Sequence, residues 1–146
     1  MLRVLSLFLC ALLCLSAAPV EPVAEVGRFV DFEVMVDPHG SPLAAWQVEV
    51  SGPAGAFTVV GLEGGDGVFE EPPYYDPKAV DGKSERVVVA GFSLEKAGKL
   101  PKQAARVASV HAFVKGDAQV TVKLVVAADE NGNKLGATCA LKEDGK

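Results

Sequence analysis

From Val30 onward the chain repeatedly sets an apolar residue at every second position, and it ends each such run after a few residues with glycine, proline, asparagine or aspartate. A period of two puts alternate side chains on one side of an extended strand, so each run encodes a strand with one buried face. Val30, Phe32, Val34 and Val36 make the first set, opposed by Asp31, Glu33 and Met35, and Asp37-Pro38-His39-Gly40 closes it with turn formers. Ala44, Trp46, Val48 and Val50 make the second, which ends at Ser51-Gly52-Pro53-Ala54-Gly55. A short third strand is expected over residues 57–62. Strands that hide one face must place it against another layer, and a chain built almost wholly of them is restricted to sandwiches and barrels.

Arg86–Phe92 contains Val87-Val88-Val89 and is apolar on both faces, which predicts a central strand covered on both sides. Alternation returns over residues 106–114 and again over 119–127, where Val120, Val122, Leu124 and Val126 are expected to share one face. Asn131-Gly132 predicts a hairpin joining that strand to residues 135–141. Helical spacing is confined to Leu94, Ala97 and Leu100 within residues 94–105, and Pro101 limits any helix there to one or two turns. Seven or more short strands without repeat or linker predict an all-β antiparallel sandwich. Residues 63–85 interrupt the rhythm with a long connection rich in glycine, proline, acid and tyrosine, and long connections of this kind are functional or mobile.

The N-terminus reads as an address. Arg3 precedes an apolar run over residues 4–15 broken by Ser6, and Ser16-Ala17-Ala18 offers small residues for cleavage, the pattern of a secretory signal peptide. The run is shorter than the ~20 residues of a membrane-spanning helix, so no stable span is expected after processing. The expected organisation is a signal peptide over residues 1–18, a linker over 19–25, a folded domain over 26–142 and a polar tail over 143–146. The mature chain is expected to start between Pro19 and Glu25 and to be secreted, extracellular or periplasmic. Loss of the leader removes Cys10 and Cys14, so Cys139 has no cysteine to pair with and core burial must carry stability. Cys139 itself, within Ala137-Thr138-Cys139-Ala140-Leu141, reads as a small apolar residue.

Charge and chemistry exclude several function classes. A net charge of -5 without a basic run excludes a nucleic-acid binder, which needs clustered Lys and Arg. Glu70 and Glu71 are adjacent, and adjacent residues on an extended chain point apart, so they do not flank one glycosidic bond. With Glu63, Asp66 and Asp76 they make an acidic loop; calcium is the one ion for which it has the oxygen ligands, and no other cofactor is expected. Asp129-Glu130-Asn131-Gly132-Asn133 has its glycine in the fourth place and no closing glutamate, so it is a turn and not an EF-hand loop. No serine lies in a Gly-x-Ser-x-Gly context, and His39, in a turn, and His111, on a strand, are the chain's two histidines. Neither a catalytic triad nor a zinc site is expected, and the protein is read as a non-enzyme.

The aromatics remain. Trp46 is in phase with Val48 and Val50 and is assigned to the core. Tyr74 and Tyr75 follow Pro72-Pro73, where a stiffened loop presents apolar area that has little rotamer entropy to lose. A binding surface is therefore predicted on residues 64–85, with Tyr74 and Tyr75 as anchors and Glu70, Glu71 and Asp76 as its polar rim.

The order of these pieces resembles a known family. Val30-Asp31-Phe32-Glu33-Val34-Met35-Val36, a glycine turn, and Leu43-Ala44-Ala45-Trp46-Gln47-Val48-Glu49-Val50 look like the opening of cohesin-like domains. Arg86-Val87-Val88-Val89-Ala90-Gly91-Phe92, the strand ending His111-Ala112-Phe113-Val114, and Ala128-Asp129-Glu130-Asn131-Gly132-Asn133 follow in the family's order. The pattern departs where the second strand meets Ser51-Gly52-Pro53; the chain's Tyr-Asp-Pro lies at Tyr75-Asp76-Pro77 instead. The resemblance implies a jelly-roll β-sandwich of eight to nine strands, akin to certain carbohydrate-binding modules, whose best-known members bind dockerin modules through a sheet face. It implies a secreted binding module with a protein partner, of dockerin-like type, or alternatively an extracellular glycan. A glycan site calls for two or three coplanar exposed aromatics, and one Trp with two Tyr is a small supply, which favours protein contact.

Overall fold

Every strand expected from the alternation is present in the computed structural model, which describes residues 26–144. The signal peptide, the linker and the last two residues of the expected tail lie outside the described residues. In chain order the strands are β1 (Gly27–Asp37), β2 (Ala45–Ser51), β3 (Phe57–Gly64), β4 (Tyr74–Tyr75), β5 (Arg86–Phe92), β6 (Ala105–Lys115), β7 (Thr121–Ala128) and β8 (Thr138–Glu143). They form two four-stranded sheets, ordered β3-β6-β1-β8 and β4-β5-β2-β7, and every pairing is antiparallel.

The topology follows one rule. β1 pairs with β8, β2 with β7, β3 with β6 and β4 with β5, as when one long hairpin is rolled up so that its rungs alternate between two sheets. This is a jelly roll, and it makes nearly all stabilising pairings long-range. Between the sheets lies a core of β-branched side chains, with Val34, Val36, Val48, Val50, Val59 and Val89 fully buried. Aromatic rings fill its wider places: Phe32 meets Phe57 edge-on with centroids 6.5 Å apart, and Phe69 meets Trp46 at 6.2 Å and 90°. Trp46 is 2% exposed, as its phase predicts.

Four expectations are corrected. β5 is not covered on both sides: Val87 and Val89 are buried, but Val88 and Ala90 lie half-exposed on the outer surface of an antiparallel sheet over which, among the described residues, no further layer packs. In β7 the partner of Gln47 is Val126 while that of the next residue, Val48, is Leu124, so Val125 is a bulged residue. The bulge switches the phase, and Val126 faces outward at 41% exposure while Ala127 is buried. Asn131-Gly132 does form a turn, with Gly132 donating to the Asp129 carbonyl at 3.0 Å, but β7 and β8 belong to different sheets. A single bridge between Ala128 and Lys134 follows the turn before the chain crosses over. Finally, residues 94–105 contain no helix; Lys99 donates to the Lys96 carbonyl in one turn, Leu100 is buried and Leu94 is 91% exposed.

Candidate functional site

The connection after β3 is an ordered structure fixed at two points. Gly64 and Gly65 let it double back, since a β-carbon on either would stand 2.1 Å from the carbonyl oxygen of Glu70 or Arg106. Asp66 then receives the Arg106 guanidinium, whose pKa that hydrogen bond raises, and a 3-10 turn (Gly67–Phe69) seats Phe69 against Trp46. The second anchor is a 3-10 turn (Pro77–Val80) that buries Ala79; Asp76 caps it by accepting the Lys78 backbone N–H at 3.0 Å.

Between the anchors the chain is pulled straight and adds β4 to the edge of β5, with Tyr74 opposite Ala90 and Tyr75 opposite Val89. Neighbours on a strand point apart. Tyr75 accordingly packs against the core, whereas Tyr74 stands 66% exposed with its ring parallel to that of Phe92, at 6° and 5.8 Å between centroids. Tyr74 also divides two concavities. On one side a groove of about 630 Å³ is lined by Gln47, Tyr75, Asp76, Lys78, Ser84 and Arg86; on the other a notch of about 180 Å³ is lined by Trp46, Phe69, Glu71, Pro72, Gly91 and Phe92. Of the five residues predicted from sequence, Tyr74 borders both hollows, Tyr75 and Asp76 the groove, and Glu71 the notch. Glu70 is exposed and borders neither.

The sequence reading sets the binding surface on residues 64–85 and holds the sheet that carries Thr121 and Lys123 as its alternative; that alternative is the β4-β5-β2-β7 sheet, whose outer face the residue pattern did not single out. The register builds it in rows: Tyr74, Ala90, Gln47 and Val126 lie side by side, and Phe92, Ala45 and Ala128 form the row beside them. All but Gln47 are apolar. The next rows are mainly polar, Glu49 and Lys123 beside Val88, then Arg86, Ser51 and Thr121. Arg86 donates to Glu49 at 2.6 Å, which lowers the Glu49 pKa and raises that of Arg86. The signal for this face was present in the second set of alternate positions, Ala45 and Gln47 with Val88 and Ala90, once the bulge at Val125 is known.

The outer face of the other sheet is unlike it. His111 lies between Asp31 at 2.5 Å and Glu63 at 3.4 Å, Arg106 between Asp66 and Glu33, and Arg28 meets Glu143 at 2.6 Å. That face pairs its two arginines with carboxylates and presents Phe29 on Phe113 at one end. Among the described residues, no three His, Cys, Asp or Glu side chains are arranged to hold a metal ion. Cys139 is a free thiol whose pKa burial raises.

No protein-family model matches the chain, and no curated protein matches it. Solved structures do match its fold. A cohesin chain from the Coh-OlpA–Doc918 complex, a type I cohesin–dockerin complex from Clostridium thermocellum, is 16% identical, with a TM-score of 0.55 over 77% of this chain and 84% of that one. The cohesin chain of the CaDoc0917–CaCohA2 complex is 17% identical, with a TM-score of 0.54 over 73% of this chain and 81% of that one. The chain thus has a cohesin-like fold, as the order of its strand patterns implies.

Proposed function

We propose that this domain is an exported, non-catalytic protein-binding module that docks a dockerin-like partner on the outer face of the β4-β5-β2-β7 sheet. One observation carries the reading: register gathers Tyr74, Ala90, Val126, Phe92, Ala45 and Ala128 into an apolar half-face bordered by the polar row of Glu49 and Lys123. An apolar centre beside a charged margin is the anatomy of a protein interface. The likeness to cohesin chains solved with dockerins supports the class of partner, and the leader-like N-terminus supports export. The test is calorimetric titration of the folded domain with dockerin modules from the same organism. Saturable one-to-one binding is expected, and it should weaken at least tenfold in Val126→Asp; absence of binding to every such module overturns the reading.

A further inference from the structure

The apolar half-face does not stop at the row of Phe92, Ala45 and Ala128. All three residues also line a hollow of about 300 Å³ between the chain that leaves β5 and the turn that follows β7. On the β5 side stands Leu94, 91% exposed, two residues after the exposed Phe92. Both walls are held by bonds of their own. Ser93 donates its backbone N–H to the Ala44 carbonyl at 2.7 Å and accepts the Glu95 N–H on its hydroxyl at 3.2 Å. Across the hollow, Asp129 accepts the backbone N–H groups of Asn131 and Asn133 at 2.9 and 2.8 Å. The hollow is therefore formed before a partner arrives.

Its charge is of one sign. Glu95, Asp129 and Glu130 line it, and no Lys or Arg does among the described residues. Glu95 is met by Lys99 at 3.0 Å and Asp129 by the Asn133 side chain at 2.9 Å. Glu130, exposed on the turn, has no ion pair or side-chain hydrogen bond among the described residues. An aliphatic side chain seated here covers Leu94 but takes water from the Glu130 carboxylate without replacing it, and an acidic one is repelled. A lysine or arginine answers both demands, laying its methylene stem along Leu94 and Phe92 and bringing its cation to Glu130. We infer that the hollow receives a basic side chain, lysine or arginine, of the docked partner and so selects among partners by charge. The inference rests on the docking reading above and adds to it the residue that discriminates, Glu130.

Dockerin modules from the same organism are titrated calorimetrically into the folded domain and into Val126→Asp, Glu130→Lys, Glu130→Gln and Asp117→Lys. Asp117 lies in the turn before β7, at the other end of that strand from Glu130, so Asp117→Lys makes the same change in net charge away from the hollow. Affinity is expected to fall at least tenfold in Glu130→Lys, to fall less in Glu130→Gln, and to stay at the parent value in Asp117→Lys. Melting temperatures within a few degrees of the parent show that the variants are folded. Replacing one lysine or arginine of the bound module with glutamate should restore binding to Glu130→Lys. Parent-like affinity in Glu130→Lys, together with binding weakened by Val126→Asp, overturns this inference and leaves docking on the face standing. Weakening by Glu130→Lys that no such replacement relieves also overturns it. Binding by no module, or binding that Val126→Asp leaves intact, overturns the docking reading and this inference with it.

Discussion

Gly91 lies so close to Trp46 that a β-carbon on it would stand 2.6 Å from Cζ2 of the indole. The two residues are paired across β2 and β5, and the missing side chain of one makes room for the ring of the other. Gly91→Ala should therefore overpack the core and cost about 1–3 kcal/mol. Trp46→Ala, which empties the same space, should cost about 3–5 kcal/mol. Denaturant unfolding measures both; an unchanged midpoint in either variant would mean that the ring is not held there.

Adjacent tyrosines should behave oppositely. Tyr75 packs against the core and Tyr74 is 66% exposed, so Tyr75→Ala is expected to lower stability by about 1–3 kcal/mol, below the value for a fully buried aromatic. Tyr74→Ala should cost at most about 1 kcal/mol, the scale of one ring pair. Thermal unfolding of the two single variants tests the split, and equal losses would contradict it.

How much of this was legible beforehand depends on what each feature requires. β1 and β2 could be read because their buried positions repeat every second residue, whereas in β6 the alternation holds only from Val110 onward, after the four consecutive buried residues Val107 to Val110. The outward turn of Val126 could not, because it follows from one extra residue in β7 that nothing in the local pattern of apolar residues marks. The separation of β7 from β8 is set by the roll of the whole chain, whereas Asn131-Gly132 specifies a turn and not which sheet receives the next strand. Tyr74 and its loop were found because proline and tyrosine broke the rhythm. Phe92 and Ala90 were missed because Arg86–Phe92 reads as apolar on both faces, which describes a covered strand and an apolar outer surface equally well.

The turn after β7 should respond to acid. Asp129 accepts hydrogen bonds from the Asn133 side chain and from the backbone N–H groups of Asn133 and Asn131, and these hold its pKa below the ordinary 3.8. A depressed folded value means that the stabilisation is complete above the unfolded pKa and disappears as pH falls through the folded one. The melting temperature of the parent should thus exceed that of Asp129→Ala at neutral pH, and the gap should close as the pH drops below about 3.8. A gap that widens on acidification would contradict the assignment.

Cys139 is half-buried on β8, and burial raises its pKa, so little thiolate is present at neutral pH. Its reaction with a disulfide reagent at pH near 8 should be slow in the folded protein and should accelerate at least tenfold in denaturant. Equal rates in the two states would place the thiol at the surface.

Docking on the outer face of the β4-β5-β2-β7 sheet is tested most directly by calorimetry with one captured dockerin module and two variants. Val126→Asp puts a charge in the apolar half-face, and Met35→Asp puts the same charge on the opposite sheet, beside Arg106. Binding weakened at least tenfold by Val126→Asp and left unchanged by Met35→Asp is the predicted result. The reverse order, or equal affinity in both variants, would contradict docking on that face.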